Sequence, residues 1–239
     1  MLDAGAGAGS YLPLLSELLG SSGSISAVDL AEENIIAMRK RLSDAPLICP
    51  VDLVAASVRE LPFGDNSFDA LWRANTTQYF QLAELPSLLR ELCRVVKPGG
   101  LVAVKEFDDV GLHFGPFNHQ LRWHLFDKVE GSKNLLGAGA LFPVNFKTHF
   151  LQAGLEQVQL KTSVGDFQHP LSTVQEAFLH SALALYYSLA EQADLPRCEL
   201  EQWQRKLGDP EHADYILKQA DFYFREVHVL ATGLLRSNE

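Results

Sequence analysis

The sequence is poor in cysteine and in positive charge, and each shortage excludes a class of protein. Its 239 residues include only 3 cysteines, with no spacing typical of a disulfide framework or a zinc knuckle, so we expect reduced thiols. Only 20 Lys and Arg stand against 30 Asp and Glu, which gives a net charge of −10. Because an acidic excess repels phosphate backbones and anionic lipid surfaces, we expect no nucleic-acid partner.

Long apolar runs are also missing. No run reaches the roughly 18 apolar residues of a membrane-spanning helix, so we predict no membrane span. The amino terminus lacks the basic flank of a signal peptide and soon reaches Gly5. With 47% apolar and 21% charged residues, the composition is that of an ordinary globular chain, and we expect a cytoplasmic protein.

The first half of the chain alternates short β-like runs with amphipathic helical patterns. This order builds a parallel sheet covered by helices. Leu85, Leu89 and Leu92 follow helical spacing, for example, and the sequence PGG at 98–100 ends that helix before the next strand. The predicted strands cover residues 1–4, 24–30, 51–56, 68–73, 101–107, 155–164 and 222–234.

Two stretches interrupt this alternation. Residues 108–144 are aromatic and punctuated by glycine, and they are too long for an ordinary connection. Residues 165–221 include a predicted helix from about Ser172 to Gln192, which opens on a capping box formed with Gln175. We predict a single domain over residues 1–239, with the two stretches as lid or substrate-cap insertions within it.

A glycine-rich turn follows the first predicted strand. Residues 2–9 have the sequence LDAGAGAG and run towards a helix that Ser10 is predicted to cap. Glycine at such a turn lets a ligand approach the backbone N–H groups at the amino terminus of a helix. The dinucleotide-binding fingerprint requires glycine at position 10, so Ser10 disfavours a nicotinamide cofactor.

Asp29 ends the second predicted strand, about 20 residues beyond the turn, where a carboxylate can accept both hydroxyls of an adenosine ribose. An alternative interpretation is that Asp29 caps the helix that begins near Ala31, since aspartate caps are common. The combination of a glycine turn with this acid favours a ligand that contains a nucleoside.

Four ordered motifs make the sequence similar to one family. They are the glycine turn, Asp29, the segment LPFGDNSFD over residues 61–69, and RVVKPGG over residues 94–100. Together they resemble the class I S-adenosylmethionine-dependent methyltransferases, particularly their quinone-biosynthesis and natural-product branch. Pattern and resemblance predict an α/β fold: a seven-stranded, mostly parallel, Rossmann-like sheet with helices on both faces, an antiparallel last strand and helical lid insertions.

The resemblance implies a site for S-adenosyl-L-methionine, with S-adenosyl-L-homocysteine as the product. By this resemblance, Asp3 and the backbone of Gly5, Ala6 and Gly7 hold the methionine end of the cofactor. Arg73, which follows the fourth strand motif, would lie beside the same end.

The resemblance also implies the contacts at the nucleoside end. Asp29 would hold the ribose, Leu30 would cover one adenine face, and Ser57 with the Val58 N–H would bind the adenine edge. Many relatives carry aspartate where this sequence has Ser57, although a hydroxyl can accept the same hydrogen bond. Relatives also carry helices before the first strand; either further residues precede Met1, or later helices cover the pocket.

Catalysis on a hydroxyl or an acidic carbon requires a base. Three histidines follow the fifth strand, on the side where such sheets bind ligands, namely His113, His119 and His124. We select His119, because Asn118 and aromatic residues flank it. The alternatives near strand ends are Tyr79, Gln78 and Glu106. No metal-ligand motif such as H-E-x-x-H is present, and we predict no metal.

The aromatic residues bear on the acceptor. Five of them fall in or beside the first insertion, at Phe107, Phe114, Phe117, Trp123 and Phe126. They favour a small apolar or aromatic acceptor, whereas Phe178, Tyr186 and Tyr187 in the later helix fit a core. The leading hypothesis is methyl transfer to oxygen or carbon. The alternatives are a cyclase or pericyclase that uses only the sulfonium charge, and a catalytically silent scaffold; the oligomeric state stays open.

Overall fold

The computed structural model describes residues 1–130 and 142–237. Within them the chain forms eight strands and seven α-helices. The chain divides into two compact units: unit 1 comprises Met1–Glu106, Phe142–Lys161 and Val229–Glu239, and unit 2 comprises Phe107–Leu141 and Thr162–His228. The two segments of unit 2 correspond closely to the stretches 108–144 and 165–221 that interrupt the sequence pattern.

Strands and helices are numbered in chain order. The strands are β1 (Leu2–Ala4), β2 (Ile25–Asp29), β3 (Val51–Ala55), β4 (Phe68–Ala74), β5 (Val96–Phe107), β6 (His113–Gly115), β7 (Leu155–Gln168) and β8 (Tyr223–Leu235). The helices are α1 (Leu12–Leu19), α2 (Glu32–Asp44), α3 (Leu85–Arg94), α4 (His119–Glu130), α5 (Phe142–Gln152), α6 (Thr173–Gln192) and α7 (Arg197–Trp203).

Unit 1 is built on a mostly parallel sheet, as predicted. β1 lies between β2 and β4, with Asp3 opposite Ala27 on one side and Trp72 on the other. β3 extends the parallel sheet beyond β2, and β5 extends it beyond β4. β8 follows β5 in the sheet, and β7 pairs with β8. The carboxyl ends of β1, β2 and β4 therefore meet at one edge, where α/β sheets bind ligands.

Helices cover both faces of the unit 1 sheet, again as predicted. On one face α3 and α5 bury Leu89 and Phe150 in one apolar core, and on the other α1 and α2 bury Leu15 and Met38 in a second core. All four side chains are at most 2% exposed. Burial of each such side chain contributes about 1.5–3 kcal/mol relative to exposure, so these helical faces hold the sheet edge in place.

The predicted number of strands is wrong, because the structure has eight rather than seven. The additional strand, β6, pairs antiparallel with Tyr223–Arg225 of β8 within unit 2. β6 has only three residues and lies in the aromatic stretch that follows β5. Apolar alternation is visible only over about four or more residues, so the sequence pattern gave no sign of this strand.

Unit 2 has an apolar core of its own, to which α4, α6, α7 and β8 all contribute. Phe114 belongs to this core at 2% exposed, and Phe117, Phe126 and Tyr186 pack against it. Trp123, in contrast, is 44% exposed. A unit that folds around its own core needs large apolar side chains, so several aromatic residues of the first insertion serve packing.

Two predicted helix caps have different outcomes. The capping box of α6 is confirmed: the Gln175 N–H donates to Ser172 Oγ, and the Ser172 N–H donates to Gln175 Oε1. The cap at Ser10 is wrong, because α1 begins at Leu12 and its N-cap residue is Tyr11, with no side-chain hydrogen bond. Turn structure continues from Gly7 to Tyr11, so Ser10 lies two residues before the first residue of the helix.

Candidate functional site

The glycine turn after β1 folds back onto the end of β2. The N–H groups of Gly5 and Ala6 donate to the Val28 carbonyl oxygen at 2.8 and 2.9 Å. Gly5 has a φ of 83°, and a Cβ atom at Gly5 would lie 2.6 Å from Thr76 Cγ2. Both the backbone conformation and the close approach of Thr76 therefore require glycine here.

Asp29, at the end of β2, joins this turn to α2. Its Oδ2 accepts the Gly7 N–H at 2.8 Å, and its Oδ1 accepts the Ala31 N–H at 3.0 Å and the Asn34 side-chain amide at 2.9 Å. Asp29 is only 8% exposed. One oxygen therefore serves the glycine turn and the other serves the entry to α2, whose N-cap residue is Ala31 rather than Asp29.

A cavity of about 780 Å³ lies beside the turn and Asp29, and all its lining residues belong to unit 1. Small-molecule sites typically occupy roughly 300–1,000 Å³. The lining residues are Asp3, Gly5, Ala6, Gly7, Ala8, Ser10, Tyr11, Asp29, Leu30, Ala31, Asn34, Ser57, Val58, Arg59, Ala74, Asn75, Thr76, Tyr79 and Phe80.

The structure brings most of the predicted cofactor-binding residues together around this cavity. Those that line it are Asp3, Gly5, Ala6, Gly7, Asp29, Leu30, Ser57 and Val58. Leu30 is 70% exposed and Val58 is 8% exposed. The Ser57 hydroxyl accepts the Arg59 N–H at 3.1 Å. Arg73 is not among the lining residues.

From one wall of the cavity, sequence reasoning identified only Tyr79 and Gln78, as alternative bases, and missed the other residues. That wall is the β4 loop, which comprises residues 75–80 and of which Asn75, Thr76, Tyr79 and Phe80 line the cavity. The available signal was position, because the loop follows a parallel strand at the edge that carries the glycine turn. Asn34 and Arg59 were also missed.

Arg73 lies behind this wall. It is 1% exposed, and its guanidinium carbon lies 4.9 Å from the centroid of the Phe80 ring, while that of Arg59 lies 4.3 Å from the same centroid. Among the described residues, Nε and Nη2 of Arg73 have no hydrogen-bond partner. Burial lowers the pKa of Arg73 to about 10, and the charge of Glu106 opposes that fall.

Asp3 is a buried acid at the floor of the cavity. It is 2% exposed, and its Oδ2 has no hydrogen-bond partner in the described part of the chain. Burial, with a smaller contribution from the negative charge of Asp29, raises the pKa of Asp3 to about 7. A cationic group of a ligand, placed against Asp3, would compensate this buried carboxylate.

The candidate bases lie in different parts of the chain. His119 is exposed at the first residue of α4, in unit 2, and His124 Nδ1 lies 2.8 Å from Glu199 Oε2. Tyr79 lines the cavity and is 62% exposed. Glu106 is 3% exposed at the end of β5. The side chain of Gln78 lies outside the described residues.

Within residues 1–130 and 142–237, no group of three or more His, Cys, Asp or Glu side chains is arranged to hold a metal ion. No helix in the same residues is long and apolar enough to cross a membrane.

Residues 2–104 match the family of the methyltransferase domain. The ubiquinone/menaquinone biosynthesis C-methyltransferase of Chromobacterium violaceum is 34% identical over 117 residues, which cover 49% of this chain and 46% of that enzyme. The demethylmenaquinone methyltransferase of Shouchella clausii is 29% identical over 181 residues, which cover 69% of this chain and 73% of that enzyme. The match thus spans about half the length of the first relative.

A solved structure shows the same fold over nearly the whole chain. It is a protein from Bacillus halodurans described as a methyltransferase, with a TM-score of 0.62 and 16% identity. The alignment covers 99% of this chain and 92% of that chain. At this identity the likeness concerns the fold alone.

We predict that Asp3→Asn stabilises the protein at alkaline pH. The folded pKa of about 7 lies above the ordinary value of 3.8, so the stability of the wild type falls as the pH rises from about 4 through 7. Asparagine has no charge to bury, and we expect it to raise the free energy of unfolding by about 1–3 kcal/mol near pH 8.

Urea unfolding at about pH 8 and about pH 4 measures this difference. Near pH 4 the variant and the wild type should be nearly equal, because Asp3 is then protonated in the folded protein. Asp52→Asn, at an exposed position of β3, is the matched control and should change little at either pH. A loss of stability in Asp3→Asn of the same size at both pH values would contradict this explanation of the Asp3 pKa.

Proposed function

We propose that this chain is a methyltransferase of the class I S-adenosylmethionine-dependent type, because residues 2–104 match the methyltransferase domain family and the chain shares the fold of a protein described as a methyltransferase. It takes the methyl group of S-adenosylmethionine to oxygen or carbon of a small, fairly apolar acceptor and releases S-adenosylhomocysteine. The observation that carries this proposal is that the glycine turn, Asp3 and Asp29 all line the same cavity. The names of the two quinone-biosynthesis relatives support the class of acceptor.

At the nucleoside end, Asp29 accepts a ribose hydroxyl. Ionised carboxylates have about four acceptor positions, and the Gly7 and Ala31 N–H groups and the Asn34 amide fill three of those on Asp29. One ribose hydroxyl completes the set, and the second binds the Asn34 amide, which also lines the cavity. Leu30 and Val58 then cover the adenine, whose edge meets the Ser57 hydroxyl.

At the methionine end, Asp3 binds the ammonium group of the cofactor. The buried Oδ2 of Asp3 lacks a partner among the described residues, and a cation there restores the ionised carboxylate. The backbone of Gly5, Ala6 and Gly7 closes around the same end. Arg73 does not line the cavity, and its positive charge lies behind the Phe80 ring at this end of the site.

Methyl transfer then depends on the position of the acceptor relative to the methyl group and on the exclusion of water from the site. When bound, S-adenosylmethionine supplies a methyl group already activated on a sulfonium sulfur. Residues that align an acceptor in line with that methyl group can contribute roughly 7–11 kcal/mol to rate acceleration. A hydroxyl acceptor also gives up a proton, and His119 is the proposed base that removes it. A positioned base typically increases the rate by about 10²–10⁴-fold.

Incubation with methyl-labelled S-adenosylmethionine and candidate quinols and phenols tests the activity. The proposal predicts label in the acceptor, together with S-adenosylhomocysteine in equal amount. A product isomeric with the acceptor and free of label would indicate the cyclase or pericyclase alternative. Calorimetry that detects binding of neither S-adenosylmethionine nor S-adenosylhomocysteine would favour the scaffold alternative.

We predict that Asp29→Ala weakens the binding of S-adenosylhomocysteine by about 1.5–3 kcal/mol, the range for hydrogen bonds to a charged group. The loss combines the ribose contact with the freed Gly7 N–H. Isothermal titration calorimetry measures the affinity, and Glu33→Gln, an exposed acid in the first turn of α2, is the control. Equal affinities of Asp29→Ala and wild type would remove Asp29 from the site.

We predict that His119→Gln lowers kcat by about 10²–10⁴-fold while the affinity for S-adenosylhomocysteine stays unchanged. Glutamine retains polarity but cannot take up the proton. His124→Gln is the matched control on the same helix, because His124 is engaged with Glu199. Equal kcat in His119→Gln and wild type, from steady-state kinetics with the labelled assay, would exclude His119 as the base.

A further inference from the structure

The end of β5 holds the β4 loop, although neither of its last polar residues lines the cavity. The Asn75 N–H donates to the Lys105 carbonyl oxygen at 2.9 Å, and Lys105 Nζ donates to Asn75 Oδ1 at 2.9 Å. Asn75 has a φ of 52°, a left-handed conformation that asparagine adopts more readily than most residues with a Cβ atom. These two bonds fix the first residue of the loop in that conformation.

Glu106 holds the next two residues of the loop. Its Oε1 accepts the Thr76 N–H at 3.1 Å and the Thr77 N–H at 2.9 Å, and it also accepts the Thr77 hydroxyl. Glu106 and Thr77 are 3% and 1% exposed. In the buried interior these bonds to a charged acceptor are strong, and each costs more to lose than a bond at the surface.

The loop in turn shapes the cavity. Thr76 packs so closely against Gly5 that a Cβ atom there would meet its side chain, and Thr76 Oγ1 donates to the Ala74 carbonyl oxygen at 2.8 Å. Beyond Thr77, the same loop presents Tyr79 and Phe80 to the cavity. A displacement of Thr76 and Thr77 would therefore alter both the cavity wall formed by the β4 loop and the packing of Thr76 against Gly5.

We propose that Glu106 is a positioning residue, which holds the β4 loop against the glycine turn and so keeps the cofactor-binding cavity formed before any ligand enters. The identity of the ligand rests on the proposed function, whereas the position of the loop in the ligand-free protein is independent of it.

This role replaces the sequence-based hypothesis that Glu106 is a catalytic base. A base must reach the proton it removes, whereas Glu106 is 3% exposed and does not line the cavity. Burial raises the pKa of Glu106, while the charge of Arg73 and the bonds from the β4 loop oppose that rise. Arg73 thus supplies the counter-charge for the positioning carboxylate.

The first experiment measures hydrogen exchange of the ligand-free full chain by mass spectrometry. Thr77→Val deletes one donor to Glu106 with little change of shape, and Thr77→Ser retains that donor and is the matched control. We expect residues 75–80 to exchange at least about fivefold faster in Thr77→Val and in Glu106→Gln, and at the wild-type rate in Thr77→Ser. A peptide that covers β2 should be unchanged in all of them.

The second experiment measures binding and turnover. We expect Thr77→Val to raise the Kd for S-adenosylhomocysteine and the KM for S-adenosylmethionine by about fivefold, with kcat at saturation within about twofold of wild type. Thr77→Ser should restore both constants. A residue that serves stability alone would lower the melting temperature without this division between KM and kcat.

Two results would overturn the proposal. One is wild-type exchange of residues 75–80 in both Thr77→Val and Glu106→Gln, and the other is an unchanged Kd in a folded Thr77→Val protein. Glu106→Gln can fail to fold because Arg73 loses its counter-charge. In that case the comparison of Thr77→Val with Thr77→Ser tests the proposal. If the wild type binds no S-adenosylhomocysteine, the proposed function fails, and the exchange measurement still decides whether Glu106 holds the loop.

Discussion

Three hydrogen bonds hold the backbone of the glycine turn over the end of β2, and the candidate site depends on them. The Val28 carbonyl oxygen takes the N–H groups of Gly5 and Ala6, and the Asp29 carboxylate takes that of Gly7. Glycine allows the turn to adopt its positive φ angles, and the hydrogen bonds to the neighbouring strand hold it in that conformation. The parallel pairing of β1 with β2 therefore determines where Asp29 and the turn meet.

The site also contains buried ionisable side chains, whose burial is energetically unfavourable. Asp3 and Arg73 each keep an ionisable side chain inside the protein with polar atoms that lack partners among the described residues. Groups of this kind cost free energy in the ligand-free protein, and they are common where a ligand completes the contacts. The Glu106 carboxylate reduces the cost for Arg73, and the same carboxylate orders the β4 loop. Electrostatic compensation and loop position are thus achieved by a single side chain.

Much of this arrangement could be predicted from the sequence, because periodicity and glycine position are local signals. The alternation of apolar patterns predicted the parallel strands of unit 1, and the glycine turn and Asp29 together indicated one ligand site; both line the cavity. The position of the β4 loop at the ligand-binding edge could be inferred, but its shape could not be predicted. Its shape depends on Lys105 and Glu106, which lie about thirty residues further along the chain, and no local pattern records that contact.

Other differences have equally physical causes. β6 is too short to show alternation, and Ser10 does not cap α1 because turn structure continues through Tyr11 and the helix begins at Leu12. Aromatic residues of the first insertion suggested a substrate pocket, yet Phe114 is part of the core of unit 2. Composition alone does not distinguish an aromatic core from an aromatic binding site.

A crystal structure of the full chain with S-adenosylhomocysteine bound is the most direct test of the proposed cofactor site. We expect the ribose hydroxyls within hydrogen-bond distance of Asp29, the ammonium group at Asp3, and the β4 loop still held by Glu106. A well-ordered ligand bound elsewhere, with the cavity beside the glycine turn empty, would contradict the central claim that this turn and Asp29 form the cofactor site.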